Sequence, residues 1–392
     1  MAVVQSLNQL LERASARRFL EAPPPEDQGL AEDIPFPFLA IVGQTEMKLA
    51  LLLALVNPNV GGVLLIGPRG TGKTTAVRSL TDLLPEVERS LCNYGCMPEE
   101  ITRSGIDAVC PDCARKYAEG RPLTYSDRVR LIELPLNSRL DDVIGGIDER
   151  AAVHNRLRLQ RGILARADRN LLYVDEVNLL SDEIVDAILD AAAQGSFSVR
   201  RGPVSATYRS RFVLVGSMNP EEGRLRPQIL DRFGLRVLVR GLEGKSSRLE
   251  AYRRAVAFRN SPHRIREEYA QSTEHVRGEL ETAHRSLDDV KLTKAAQEYG
   301  LELIRRLEID SLRAEITLFE AAKAHALADG RISAAPQDVR TVAPMAVWLR
   351  RSSFMKDFFV GQADEQEELE RLLVELARKP KPRRKARAPR RR

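Results

Sequence analysis

Eight residues, Gly67-Pro68-Arg69-Gly70-Thr71-Gly72-Lys73-Thr74, follow the pattern G-x-x-x-x-G-K-[ST]. A loop of this kind suits the phosphates of a nucleotide. Its glycines let the backbone wrap close to the β-phosphate, and backbone N–H groups and a helix N-terminus then point inward. Lys73 supplies a positive charge for the β and γ oxygens, Thr74 can ligate Mg2+, and Thr75 completes the binding set. Farther along, Leu171-Leu172-Tyr173-Val174 runs into two carboxylates. Asp175 is expected to hold the Mg2+ shell and Glu176 to polarise an attacking water. Asn219 closes the apolar stretch VLVGSMNP, where its amide would approach the γ-phosphate if that strand lies between the other two. The basic segment from Arg224 to Arg232 follows. An arginine near there could reach a neighbouring subunit's nucleotide, because phosphoryl transfer gains from a cation supplied in trans.

All four cysteines of the chain, Cys92, Cys96, Cys110 and Cys113, fall in one short stretch. The Cys-x3-Cys and Cys-x2-Cys pairs resemble two ligand knuckles, and four thiolates satisfy tetrahedral zinc. Closing a loop without a core of its own would give such an ion a structural task. A thiol–disulfide switch, an iron–sulfur cluster and ordinary reduced thiols remain alternatives.

These groups need elements to hold them. Val63–Ile66, bounded by glycines, reads as a buried parallel strand, and a helix should run from about Gly72 to Leu84, where Pro85 stops it. Further strands are expected at 129–134, 170–177, 211–220 and 235–240. Strands alternating with helical segments imply a parallel sheet with helices on both faces. Before the first strand, Leu49, Leu52, Leu53 and Val56 share one helical face, and Thr45 is a candidate cap. Residues 245–286 read as charged helix. The segment 287–362 reads as a small all-α domain without strands. An amphipathic helix is expected at 6–20, ended by Pro23-Pro24-Pro25. The expected division is therefore 1–35 helix and linker, 36–244 nucleotide-binding core with a cysteine-rich insertion at 90–117, 245–286 helical linker, 287–362 helical lid, and 363–392 helix and basic tail.

Hydrophobic residues at 43% and charged residues at 30% fit a globular chain with a substantial core. No run of 18 apolar residues occurs, so no membrane span is expected, and a reducing cytoplasmic setting is the default. The net charge is +6, yet residues 378–392 alone carry ten basic side chains and no acid, which leaves −4 for the rest. That tail is expected to be disordered. The mildly acidic body argues against a nucleic-acid role, although a protein that holds nucleic acid by the tail is a competing reading.

The succession IVGQ (41–44), GPRGTGKT, LLYVDEVNLL, GSMNP, LDRFGL and, in the helical domain, LRAEI (312–316) resembles the AAA+ ATPases, and most closely the ATPase subunit of magnesium chelatase. The resemblance implies further roles. Ile41, Val42, Gly43 and Gln44 would line the adenine pocket, Arg232 would be the arginine finger, and Arg313 the lid's sensor arginine. Residues 140–168 would be an insertion in the second helix of the core, and 195–208, turning at Arg201-Gly202-Pro203, a hairpin before the Asn219 strand. It also implies a hexameric ring that works with a second AAA+ subunit bearing an integrin-I domain and with a large porphyrin-binding subunit. Together these would use ATP and Mg2+ to insert Mg2+ into protoporphyrin IX. A MoxR-like or cobaltochelatase-type chaperone is the alternative within the same class.

Overall fold

Four short segments with almost no exposed side chain make the centre of the molecule. In the computed structural model, which describes residues 34–146, 159–202, 204–223 and 225–350, β1 (Val63–Ile66) is buried at every position. The polar ribbon β2 (Glu86–Ser90) and β3 (Thr124–Arg128) comes next in the chain. It is followed by β4 (Leu131–Leu134) and β5 (Leu171–Val174), the latter again buried throughout. A hairpin of β6 (Ser196–Arg201) and β7 (Val204–Arg209) precedes β8 (Val213–Met218) and β9 (Leu235–Leu238). The main sheet is wholly parallel, in the order β4-β5-β8-β1-β9. Strands covered on both faces read as unbroken apolar runs, which is why their positions were visible in the sequence. The expected helix at 6–20, the proline linker, residues 147–158 of the insertion, Pro203, Arg224 and everything after 350, including the basic tail, lie outside the described residues.

Two apolar layers sandwich this sheet. One joins its first face to the helix Thr45–Val56 and to the helices Pro262–Arg285, Lys294–Arg306, Leu312–Ala328 and Pro336–Val347. The other packs the helix Asp182–Gln194 on the opposite face. Helix Thr45–Val56 is sandwiched between sheet and lid, which changes its expected pattern. Met47, Ala50, Leu51, Leu53, Ala54 and Val56 are buried, whereas Leu49 and Leu52 are only partly covered. Thr45 is the first helical residue and not the cap. Gln44, in the left-handed region at φ 52°, occupies that place.

The helix after the glycine loop is shorter than expected. It spans Lys73–Ser79 and tightens into a 3-10 turn, Leu80–Leu83, ahead of Pro85. The expected strand at 129–134 is confined to 131–134. Ribbon β2–β3 brackets the cysteine segment and went unseen because EVERS and TYSDR are polar and largely exposed. The lid is helical as expected, except for two residue pairs. β10 (Lys291–Leu292) runs parallel to β11 (Ser333–Ala334), too short to leave a periodic signal.

Inside the lid, the fully buried Asp338 carboxylate binds Arg331 Nη1 at 2.9 Å and lies 2.7 Å from His325 Nδ1. It also accepts the Ala335 N–H at 2.7 Å, closing the N-terminus of helix Pro336–Val347. Burial pushes its pKa up, but Arg331, the Ala335 N–H and His325 outweigh this and bring it down to about 2. A depressed carboxylate stabilises the fold above its unfolded pKa of about 4 and loses that contribution as pH falls toward 2. Asp338→Ala is therefore expected to cost about 3 kcal/mol at neutral pH. Urea unfolding at neutral pH and at about pH 3 should show the deficit shrinking.

Candidate nucleotide site

β1 delivers the chain to a loop that only glycine can make in places. A Cβ on Gly67 would lie 2.1 Å from the Val239 carbonyl oxygen, just past β9. Gly70 and Gly72 have φ of +75° and +87° with nothing within 4 Å of a notional Cβ, so they are glycine for conformation and line an open cradle. Gly72 caps the helix that begins at Lys73, which aims that helix's N-terminus into the cradle. Thr71 Oγ1 donates to the Pro68 carbonyl at 2.9 Å and holds the loop's curvature. Lys73 is buried. Its ammonium donates to the carbonyls of Gly67 at 2.8 Å and Pro68 at 2.9 Å. Burial lowers its pKa, and Asp175, Glu176 and Glu222 oppose that loss of charge. Thr75 is exposed on the first turn of the helix.

The acidic end of β5 meets this loop. Thr74 Oγ1 donates to Asp175 Oδ2 at 3.2 Å and sits 3.1 Å from the Tyr173 hydroxyl. Tyr173 donates to Asp175 Oδ1 at 2.8 Å, and Ser217 Oγ on β8 donates to the same oxygen. Burial raises the Tyr173 pKa, so this phenol remains a donor. Tyr173 and Ser217 were not singled out in the sequence. The available signal was the two-residue period that puts Tyr173 and Asp175 on one face of β5. Glu176 adopts φ 50°, and its N–H donates to Ser217 Oγ at 3.1 Å. Arg69 reaches across to ion-pair with Glu176 at 3.5 Å and with Glu222.

β8 lies between β5 and β1, as expected, so Asn219 emerges between the carboxylates and the loop. Asn219 is buried, and its Oδ1 accepts the Glu221 N–H at 3.3 Å. Ile41, Val42, Gly43 and Gln44 flank the same region. Gln44 Nε2 donates to the Arg240 carbonyl at 2.7 Å, Lys48 Nζ to the Ile41 carbonyl at 3.0 Å, and a Cβ on Gly43 would strike Leu242. This segment and Gly67 thus both abut the strand exit from Val239 to Leu242.

The arginines lie elsewhere. Arg232 ends the helix Pro227–Arg232, and its Nη1 pairs with Asp186 at 2.9 Å and Asp190 at 3.1 Å. Arg313 is largely exposed and lies 3.6 Å from Asp231, the neighbour of Arg232. Asp231 also binds Arg350 at 2.7 Å. Arg350 is buried and donates to the carbonyls of Phe233 and Gly234 at 3.1 and 3.0 Å. Arg236, on β9, is buried beside this pair; its Nε and Nη2 make no hydrogen bond among the described residues, and Nη2 lies 3.8 Å from Asp231. Burial and the charge of Arg350 lower its pKa to about 9 against the pull of Asp231. Asp231 therefore links the segment carrying Arg232 to the end of the lid. Neither Arg236 nor Arg350 lies in a motif, so only three-dimensional proximity reveals them.

The cysteines also converge. Among the described residues their four Sγ atoms lie within 4.8 Å of one another. Cys96 and Cys113 are buried and Cys92 and Cys110 half-buried, in a small satellite core with Val109 and Leu123.

Comparison with known proteins agrees with this arrangement. Residues 59–218 match the model of the AAA domain and residues 298–372 that of the AAA lid domain. The magnesium-chelatase 38 kDa subunit of Acidiphilium rubrum is 43% identical, over 80% of this chain and 90% of the relative. A magnesium-chelatase subunit ChlI homolog of Methanocaldococcus jannaschii is 41% identical, over 81% and 87% respectively. Among solved structures, a putative ATPase from Cytophaga hutchinsonii superimposes with a TM-score of 0.50 at 20% identity, covering 80% of this chain and 84% of that one, and so supports the fold. No helix among the described residues is long and apolar enough to cross a membrane. At 43% and 41% identity over about four fifths of its length, the chain belongs to the magnesium-chelatase ChlI/BchI subunit family of AAA+ proteins.

Proposed function

We propose that this chain binds and hydrolyses ATP as the motor subunit of a magnesium chelatase, in a homo-oligomeric ring of six subunits. The observation that carries the nucleotide site is the meeting of Lys73, Thr74, Asp175, Tyr173 and Ser217 at the ends of three adjacent strands beside an open glycine cradle. The donor set fits an ATP-bound Mg2+. A hydroxyl and a carboxylate oxygen lie 3.2 Å apart at the cradle's mouth, and hard oxygen ligands of this kind suit that ion. Bound there, Mg2+ would neutralise charge on the β and γ phosphates.

The chain's own residues then divide the work. Backbone N–H groups of Gly70–Thr74 and the helix N-terminus hold the phosphates, and Lys73 exchanges its two carbonyl partners for phosphate oxygens. Tyr173 and Ser217 fix the Asp175 carboxylate, so that its free lone pairs face the cradle. Glu176, released from Arg69, orients and deprotonates the lytic water, and Asn219 holds that water in line with the γ-phosphate. Arg313 reads the nucleotide from the lid, Ile41–Gln44 contact the base, and Arg232 acts on the next subunit.

The substrate class follows from the family. The chain would drive Mg2+ insertion into protoporphyrin IX alongside an AAA+ partner with an integrin-I domain and a large porphyrin-binding subunit. The test combines the three proteins with ATP, Mg2+ and protoporphyrin and follows Mg-porphyrin fluorescence. Product should appear only with ATP, and a Lys73→Ala chain should yield none. ATP hydrolysis without any product would refute the chelatase assignment and leave a motor with another client.

A further inference from the structure

We propose that Cys92, Cys96, Cys110 and Cys113 bind one structural Zn2+, and that this ion fixes the cysteine segment against the β6–β7 hairpin beside the ATPase core. The inference is independent of the chelatase reading, since it rests on a cluster that shares no residue with the nucleotide cradle and is made of other chemistry.

Separation comes first. A tetrahedral zinc–thiolate centre with bonds of about 2.3 Å has sulfur atoms about 3.8 Å apart. The four Sγ atoms already lie within 4.8 Å of one another, so a small inward rotation of each side chain completes the tetrahedron. A cluster carrying its own sulfides would push the four thiolates farther apart. No second ligand type is needed, because four sulfurs close the coordination shell in the manner of a structural site.

The backbone is also arranged to receive negative sulfur. The N–H groups of Tyr94 and Cys96 point to Cys92 Sγ at 3.3 and 3.4 Å, and that of Cys110 points to Cys96 Sγ at 3.3 Å. N–H groups aimed at the sulfurs in this way orient metal-bound thiolates and spread their charge. Cys110 caps the helix Pro111–Ala118 and Cys113 lies in its first turn, where the helix dipole favours an anion.

The segment needs such a staple. Among its described residues it buries few apolar side chains, Cys96, Met97, Val109, Cys113 and Leu123, while Leu91, Tyr94, Ile106 and Tyr117 are exposed. A core of that size does not order a chain segment of this length without a metal or cross-link.

What the knuckle holds is specific. Tyr94, between the first two cysteines, stacks on Tyr208 of β7 with ring centroids 5.7 Å apart. The Arg209 N–H donates to the Tyr94 carbonyl at 3.0 Å, and Arg211 Nη2 donates to the Gly95 carbonyl at 3.0 Å. Gly95 has φ +79°, and a Cβ there would lie 2.8 Å from Arg209 Cβ, so the two backbones are in close approach. Arg209 ends β7 and Arg211 leads into β8, the strand that delivers the chain to Asn219. The ion thus anchors the base of the hairpin and the approach to the catalytic strand.

The experiment is metal analysis of the full-length, untagged protein, followed by hydrogen exchange before and after the zinc is displaced by a thiol-reactive mercurial and chelator. One zinc per chain is expected, released as the four thiols react, and Co2+ in its place should give the visible bands of a tetrahedral thiolate site. Less than half an equivalent of zinc, stoichiometric iron, or thiols found paired as disulfides would each overturn the site. After metal removal, amides of β6–β7 should exchange about tenfold faster or more. Unchanged protection there would overturn the coupling to the hairpin. Cys110→Ser provides an independent check. It should lose zinc yet keep ATP binding, since the nucleotide cradle shares no residue with the knuckle, and full zinc retention would count against the ligand set.

Discussion

Arg232→Ala is expected to reduce ATP turnover of the assembled protein by about 10^3-fold or more while leaving nucleotide affinity nearly unchanged. The reasoning starts from where Arg232 sits. Within its own chain the guanidinium is tied to Asp186 and Asp190 on helix Asp182–Gln194, and its contacts there do not include the cradle residues. Held away from its own cradle, this cation is available for the role that the family resemblance implies, on a nucleotide bound by another subunit, where it would offset charge that develops on the transferred phosphoryl group. Mixing separates this role from a folding defect. Lys73→Ala chains have a dead cradle and an intact Arg232, whereas Arg232→Ala chains have the reverse. Neither should hydrolyse ATP alone, and a mixture should recover activity at interfaces that pair an intact cradle with an intact arginine. No recovery, with rings of both variants shown to assemble by size-exclusion chromatography, would remove the trans role.

A second large effect is expected from Glu176→Gln. The glutamate leaves β5 in a left-handed backbone conformation, with its N–H fixed by Ser217, and its carboxylate is engaged by Arg69 from the loop. Removing the charge while keeping the shape should lower hydrolysis by about 10^2- to 10^4-fold, the usual range for a lost general base. Binding should survive, because Lys73, Thr74 and Asp175 keep their partners. Saturating ATP should then raise the melting temperature of the variant at least as much as that of the parent, since a ligand bound only to the native state stabilises by mass action. Isothermal titration, melting curves and phosphate release on one preparation check all three points. Loss of binding together with loss of turnover would mean that Glu176 shapes the cradle and does not act on water.

Much of this was legible in the order of residues. Strands buried on both faces are apolar along most of their length, so Val63–Ile66, Leu171–Val174 and Val213–Met218, the last interrupted only by Gly216 and Ser217, announced themselves. The glycines of the loop were equally plain, because a backbone that must take positive φ or meet another backbone admits little else. Polar and very short elements were not. EVERS and TYSDR pair as a ribbon with both faces largely wet, and the two-residue strands of the lid leave no period to detect. The helix Thr45–Val56 misled for the opposite reason, since cover on two sides erases the single apolar stripe that spacing seeks.

What the sequence by itself determined, then, is local: which stretches must be buried, which positions must be glycine, and which side chains can carry phosphate, proton or metal chemistry. Only the tertiary structure decided which of them meet. Tyr173 and Ser217 converge on Asp175 from neighbouring strands, Arg350 from the end of the lid binds Asp231 more than a hundred positions away, and four thiols from two knuckles close to within 4.8 Å. Contacts of this kind depend on sheet register and on helices packed across the sheet. Those are set by the summed burial of many side chains, and no single stretch of sequence encodes them.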